Sequence, residues 1–457
     1  MRDLLTDTTN RALRYLADLP RRRVAPPPEA VAALAALDEP FPDAPTDPAR
    51  VIELLDRVAS PATITIPGPR FFGFVAGGVL PAALAANWLA GTWDQNTVYM
   101  SVTPATSTLE QVALRWILEI LGLPAECGGA FVTGATIANF SALAAARRSV
   151  LARAGWDVEG DGLTGAPPVT VIVGAEVHPA VTKSLGLLGL GRRRVVTVAA
   201  DAQGRMRADR LPRVAGPTIV CTQVGNVNTG ACDPVGEICA RVREAGAWVH
   251  VDGAFGLWAA AAPERAHLVA GVAAADSWAT DAHKWLNVPF DSGLALVRDA
   301  EALRAAMAVT AEYLPPSGTQ RNPGEYTPEL SRRARGVEVW AALRSLGRRG
   351  LADVIETNCR LARRFADGLT AAGYEILNDV VLNQVLVSFG EPAVTNRVIA
   401  GLQADGTCWC GGTVWQGRTA MRISVSNFAT TADDVDRSLA AMLRIAARSL
   451  DGPSPVG

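Results

Sequence analysis

The sequence predicts an α/β fold: a large domain with a mostly parallel sheet flanked by helices, then a small C-terminal α+β domain. Three observations predict it. Over residues 71–310, short apolar runs that end in polar or glycine signals alternate with alanine-rich helical stretches, which is the rhythm of βαβ units. After Asp299 the pattern changes to a long Arg- and Ala-rich helical stretch followed by half-exposed strand patterns. Finally, 457 residues with 49% hydrophobic and 19% charged side chains suffice for a large core or two domains and match a folded globular chain.

Residues 1–60 carry Pro26-Pro27-Pro28 and then Pro40, Pro42, Pro45 and Pro48. So many breakers leave helical pieces without a core of their own. This segment is expected to be an arm that packs on another surface, a partner subunit included. The large domain is expected over residues 61–310. Within it, residues 169–173, 194–198, 218–221 and 248–251 are rich in Val, Ile and Thr and read as buried strands. Residues 180–190 and 234–245 read as the helices between them. Residues 311–457 are expected to form a mobile loop and the small domain. There, residues 328–372 read as a long helical stretch, 380–388 and 419–426 alternate like half-exposed strands, and 431–449 read as an amphipathic helix.

Charge narrows the partners. Lys+Arg number 43 against Asp+Glu 45, a formal net charge of −2, which calls for neither nucleic acid nor an anionic membrane. The runs Arg21-Arg22-Arg23 and Arg192-Arg193-Arg194 read as solvated faces. The N-terminus lacks the positive-then-apolar signal pattern, and no segment approaches the ~20 uninterrupted apolar residues of a membrane span. The seven cysteines are odd in number and scattered, which argues against a disulfide scaffold. Cys408-Trp-Cys410 is too tight for the usual zinc pair and has no matching second pair. The expectation is a cytoplasmic protein with reduced cysteines and no metal.

The chemistry lies in two motifs. Trp248-Val-His-Val-Asp252-Gly-Ala254-Phe closes an apolar run on an acid, and Asp281-Ala-His283-Lys284-Trp285 follows. A lone lysine is ordinarily a surface residue, but Trp278, His283, Trp285, Leu286 and Val288 around Lys284 predict burial. A buried lysine has a lowered pKa and a nucleophilic amine, able to hold an aldehyde cofactor as a Schiff base. Asp252 falls at the C-terminal end of a strand, where ligands of such sheets gather. A carboxylate there can be a helix cap or a metal ligand, the latter disfavoured because no His/Cys/Asp/Glu cluster of metal spacing surrounds it, or it can keep a cofactor's ring nitrogen protonated. The small-residue turn Thr133-Gly134-Ala135-Thr136 leads into a helix over residues 140–148. It reads as a plain strand-to-helix turn or as an anion site. Of the four histidines, His178 and His283 lie in or beside strand-end loops, while His250 and His267 read as structural.

Together these residues resemble the pyridoxal-phosphate-dependent group II amino-acid decarboxylases, within the aspartate-aminotransferase fold. The resemblance covers residues 71–436. The family's His-Val-Asp-Ala-Ala pattern stands here as His250-Val-Asp252-Gly-Ala254, and its Asn/Asp-x-His-Lys-Trp pattern as Asp281-Ala-His283-Lys284-Trp285. The resemblance implies a seven-stranded-type sheet and pyridoxal 5′-phosphate as cofactor. It makes Lys284 the carrier of the internal aldimine and Asp252 the partner of the pyridinium nitrogen. Ala254 and His178 would pack on the two ring faces, and Thr133, Gly134, Ala135 and His283 would lie at the phosphate. Arg422 matches the arginine that can receive a substrate carboxylate, a task that suits a guanidinium fork; it also reads as an ordinary strand arginine. The partners implied are a small amino-acid substrate and a second copy of the chain, in a homodimer with active sites at the interface.

Two departures matter. Gln223 stands where the family often has a threonine near the cofactor's phenolic oxygen. The loop from Tyr313 to Tyr326 looks shorter than the family's mobile loop, so Tyr326 is either the general acid or a loop anchor. The expected reaction is α-decarboxylation of an L-amino acid to amine and CO₂. Carbon–carbon lyase, aminotransferase and oxidative decarboxylation–deamination chemistry stay open on the same scaffold, as does a non-catalytic relative.

Overall fold

β-Branched residues do form the central strands, but glycines and polar residues form others that their sequence conceals. The computed structural model describes residues 1–309 and 320–451, so the expected loop around Tyr313 lies in part outside the described residues. The chain divides into two units. One comprises Met1–Gly78, Leu361–Leu377 and Val385–Gly457; the other comprises Val79–Arg360 and Asn378–Gln384.

The first unit opens on α1 (Arg2–Asp18), which buries none of its residues. Its Arg11 reaches Asp7 at 2.7 Å and Asp56 at 2.8 Å. Short helices over Pro28–Ala33 and Pro48–Leu54 each begin on proline, whose missing N–H costs nothing in a first turn.

The second unit holds the large sheet. α2 (Pro81–Trp93) and α3 (Pro104–Ile120) lead into β1 (Gly128–Val132), α4 (Ala135–Arg153), β2 (Thr170–Gly174), α5 (Pro179–Leu187) and β3 (Val195–Val198). Then come β4 (Thr218–Gln223), α6 (Val235–Val242), β5 (Trp248–Asp252), β6 (Ser277–Asp281), β7 (Gly293–Val297) and α7 (Ala300–Met307). The strand order is β1-β7-β6-β5-β4-β2-β3. Pairing is parallel from β6 through β3, and β7 runs antiparallel to both β1 and β6. This is the expected mostly parallel sheet.

β1, β6 and β7 complete the seven strands but lie outside the runs whose composition reads as strand. Gly128-Gly-Ala-Phe-Val reads poorly as a strand because glycine has no side chain to pack. Here its absence is the reason for the choice: a Cβ on Gly129 would lie 2.4 Å from Leu114 Cδ1. The helix expected over residues 140–148 is the middle of the longer α4. Its Ala138, Ala142, Ala144, Ala145 and Ala146 pack with Leu143 against Val132, Val173, Ala279 and Ala295. Small side chains let this helix lie close on the sheet, and close packing is what stabilises such a core.

A buried ion pair braces β1. Arg332 donates to Phe131 O at 2.8 Å and Thr97 O at 2.7 Å, and pairs with Glu110 on α3 at 3.0 Å, both side chains being 0% exposed. Removing one partner strands the other charge in the interior. We therefore expect Glu110→Ala to lower stability by about 3–5 kcal/mol, read as a reduced urea midpoint at unchanged slope. A variant as stable as the parent would show that the carbonyls of Thr97 and Phe131 satisfy Arg332 without Glu110.

α8 (Gly336–Ala371) is not one straight helix, because Gly347 (φ 60°, ψ −178°) breaks it. The first unit then resumes with β8 (Glu375–Ile376), β9 (Gln384–Ser388), α9 (Pro392–Asp405), β10 (Gly411–Trp415), β11 (Arg418–Ser424) and α10 (Ala432–Asp451), with strand order β10-β11-β9-β8. Arg70, 2% exposed, ties this unit together. It donates to Pro20 O, Arg22 O and Thr407 O, and pairs with Asp434 at 3.2 Å. Part of the N-terminal segment is thus held by the C-terminal segments of its own chain.

Candidate active site

Parallel strands bring their C-terminal ends to one edge. Gln223 ends β4 in register with Asp252, which ends β5, and Asp281 ends the neighbouring β6. A cavity of about 320 Å³ opens at this edge. Thr133, Gly134, Ala135, His178, Gln223, Asp252, Ala254, His283 and Lys284 all line it. The structure therefore gathers nearly every candidate residue of the two motifs and the small-residue turn. Thr136, Ala180, Gly225, Val227, Phe255 and Asp281 complete the lining.

Each side chain is aimed by its backbone. β6 ends at Asp281, and the following turn is held by Ala282 N–H donating to Ser292 O at 3.0 Å. Trp285 is fully buried and donates from Nε1 to Asn358 Oδ1 at 2.9 Å. With its neighbour pinned inward, Lys284 turns to the cavity, where Nζ lies 2.9 Å from Asp281 Oδ2. Asp281 Oδ1 accepts the N–H of Ala135 at 2.6 Å, capping the first turn of α4. Trp258 Nε1 donates to Asp281 O at 3.0 Å. β7 approaches so closely that a Cβ on Gly293 would lie 2.5 Å from Gly134 Cα.

Asp252 is 4% exposed and accepts the Ala254 N–H at 3.2 Å. Burial pushes its carboxyl above the ordinary value, and the charges of His178 and Lys284 hold it back. Burial likewise lowers His283. His283 Nδ1 accepts the Ser292 N–H at 3.2 Å, so the proton of the neutral ring sits on Nε2. His178 Nδ1 accepts the Ala180 N–H at 3.2 Å and caps α5.

Behind the site His250 is structural, as its sequence context implied. Its Nδ1 meets Ser277 Oγ at 2.9 Å and its Nε2 meets Asn139 Oδ1 at 2.7 Å, joining β5 to β6 and α4. Burial pushes this imidazole down from 6.5 to about 3. Below pH 6.5 the unfolded chain takes up a proton that the folded chain refuses. Stability present above that pH should therefore fall by up to about 1.4 kcal/mol per pH unit on acidification, until about pH 3. Urea unfolding at pH 7 and pH 5 checks this: a His250→Gln variant should show a smaller difference between the two, and an equal difference would remove His250 as a source.

Two candidates lie elsewhere. Tyr326 is not among the residues lining this cavity. It packs against the cluster that includes Ala130 and Leu303, with Arg321 4.3 Å over its ring. Arg422 sits on β11 in the other unit, opposite Gly411, and burial lowers its pKa.

The pyridoxal-dependent decarboxylase conserved domain matches residues 28–390. The chain belongs to the pyridoxal-dependent decarboxylase family. It is similar to the L-2,4-diaminobutyrate decarboxylase of Rhizobium meliloti (strain 1021), 29% identical over 425 residues that cover 88% of this chain and 83% of that protein. It is also similar to the aromatic-L-amino-acid decarboxylase of Bacillus atrophaeus, 27% identical over 340 residues, 72% of this chain and 68% of that one. The crystal structure of Oryza sativa TDC with PLP and tryptamine shares the fold, with a TM-score of 0.88 at 23% identity over 98% of this chain and 97% of that one. This decarboxylase is a carboxy-lyase that uses pyridoxal phosphate and acts on an amino acid.

The residues present fit that cofactor. A buried carboxylate with a raised pKa needs a cation, and a protonated ring nitrogen is one. The N-terminus of α4 offers N–H groups to a phosphate, although Asp281 already engages the one on Ala135. Lys284 opens on the same cavity as both. The motif Asp281-Ala-His283-Lys284-Trp285 contains Asp281 but does not by itself give it a role; its spacing of three residues from Lys284 is the signal that the two side chains can meet.

Proposed function

We propose that the protein decarboxylates an L-amino acid, releasing amine and CO₂, with Lys284 as the anchor of the cofactor's aldehyde. The observation that carries this reading is that Lys284, Asp252 and the N-terminus of α4 open on one cavity. When bound, pyridoxal phosphate supplies an electron sink for the pair left by departing CO₂. Asp252 holds the ring nitrogen's proton by charge. Ala254 packs one ring face and His178 the other, and Thr133, Gly134, Ala135 and His283 take the phosphate. Gln223 lies at the ring's edge, and Arg422 receives the substrate carboxylate. Tyr326 is proposed as the anchor of its segment, because Arg321 and an apolar cluster already hold its ring.

The assembly is proposed to be a homodimer. α2 exposes Trp88 (41%), Leu89 (53%) and Trp93 (43%), an apolar face of the kind that partners cover. A monomeric mass by light scattering would overturn it. Among the described residues no helix is long and apolar enough to cross a membrane. Since all seven cysteines are free, a reducing compartment, the cytoplasm, is proposed; recovery from a secreted fraction would contradict that.

The test of function is CO₂ release and product analysis across aromatic, acidic and basic L-amino acids with the cofactor-loaded protein. Amine and CO₂ in equal amounts are expected. Aldehyde and ammonia, or a keto acid without CO₂, would replace the reaction while keeping the cofactor.

A further inference from the structure

Gln223 lines the cavity, and its backbone is fixed on both sides by Asp233. Its N–H donates to Asp233 Oδ2 at 2.7 Å, and its carbonyl accepts the Asp233 N–H at 2.9 Å. What the side-chain amide presents is a separate question, because an amide has a donor end and an acceptor end whose assignment follows from partners. The partner is Asn226, which is 2% exposed and is not among the residues lining the cavity. One end of the Asn226 amide faces the N–H groups of Asn228 at 2.8 Å and Thr229 at 3.2 Å. Backbone N–H groups only donate, so that end is Oδ1. The other end is then Nδ2, and it donates to Gln223 Oε1 at 3.2 Å. With Oε1 turned to Asn226, the opposite end of the Gln223 amide is Nε2, a pure donor.

Strand order says what that donor meets. Ala135, where α4 begins, is bonded to Asp281 at the end of β6, on one side of β5. Gln223 ends β4, on the other side. In pyridoxal phosphate the phosphate arm and the phenolic oxygen flank the aldehyde on opposite sides of the axis that runs from aldehyde to ring nitrogen. With the nitrogen at Asp252 and the phosphate at α4, the phenolic edge turns to β4. We infer that Asn226 is a positioning residue that holds the Gln223 amide donor-first against the cofactor's phenolic oxygen, and so favours its phenolate over its neutral phenol form. This rests on the site reading proposed above. A threonine hydroxyl can donate or accept at such a place; the bond from Asn226 to Oε1 biases the Gln223 amide toward donating.

The bound cofactor reports its own charge state, since the phenolate form absorbs at longer wavelength than the neutral phenol form. Asn226→Asp keeps an oxygen for the two backbone N–H groups but replaces Nδ2 by a second acceptor. Gln223 must then rotate its amide and present Oε1 to the cavity. In the substrate-free, cofactor-loaded protein at fixed pH, the ratio of long- to short-wavelength absorbance is expected to fall about tenfold or more, the scale of a hydrogen bond to a charged group. Gln223→Leu should lower it less, and Asn226→Asp should add little on top of Gln223→Leu. If Asn226→Asp does not fold, Gln223→Glu puts an acceptor in the same shape and should give the same fall. An unchanged ratio in the folded variant overturns the inference, as does a fall that persists in full in the double variant, which would mark a through-space charge effect. A wild-type protein without a Lys284-dependent band would instead overturn the proposed function, and this inference with it.

Discussion

Replacing Lys284 with alanine is expected to abolish the visible absorbance of the cofactor-loaded protein and to lower kcat/KM by on the order of 10⁴-fold, the scale of removing one member of a catalytic unit. Two functions of Lys284 must be separated to read that loss. Its amine is the proposed anchor of the aldehyde, and its ammonium pairs with Asp281 at 2.9 Å. Lys284→Arg separates them, because a guanidinium keeps the charge beside Asp281 but does not bond to an aldehyde at neutral pH. We expect Lys284→Arg to fold as the parent does and to be as inactive as Lys284→Ala. Cofactor titration followed by absorbance and CO₂ release measured on the same samples check this. A Lys284→Arg protein that kept the visible band, or kept turnover within about tenfold of the parent, would remove Lys284 from the proposed role and leave it as a counter-ion.

The legible part of this molecule was what depends on local composition. β2, β4 and β5 are rich in Val, Ile and Thr, and their period and apolarity announce buried parallel strands. The acid ending β5 could be placed because ligands of parallel sheets gather at strand ends, and Lys284 stood out by the apolar residues around it, Trp278, Trp285, Leu286 and Val288. What was illegible depends on neighbours distant in sequence. β1 looks too rich in glycine until Leu114 is seen against it. β6, Ser277-Trp-Ala-Thr-Asp, is polar in sequence yet wholly buried, with Ser277 satisfied by Trp248 and His250. The bond from Ala135 to Asp281 spans 146 positions, and no local pattern encodes it. The same holds for Arg70, whose environment is assembled from segments more than 300 positions apart.

Asp252→Asn carries the second large effect, and it separates function from stability. The carboxylate is the only proposed source of the charge that keeps the ring nitrogen protonated, and loss of such a preorganised interaction lowers turnover by about 10²–10³-fold. In the cofactor-free protein the same charge is a burden. Burial raises the Asp252 carboxyl above its ordinary value of 3.8. A raised carboxyl contributes stability that is present below its unfolded value and is lost as pH rises through the folded value. At neutral pH the ionised group therefore works against the fold until a cation meets it. Asparagine has the same shape and no charge, so cofactor-free Asp252→Asn should unfold at a higher temperature than the cofactor-free parent at pH 7, and at nearly the same temperature near pH 3. Adding the cofactor should reverse the order, because only the parent gains the pairing. Thermal unfolding with and without cofactor at both pH values gives the four comparisons. If the asparagine variant is less stable without cofactor at pH 7, then Lys284 and His178 already satisfy the charge, and Asp252 is held for the fold as well as for the ring nitrogen.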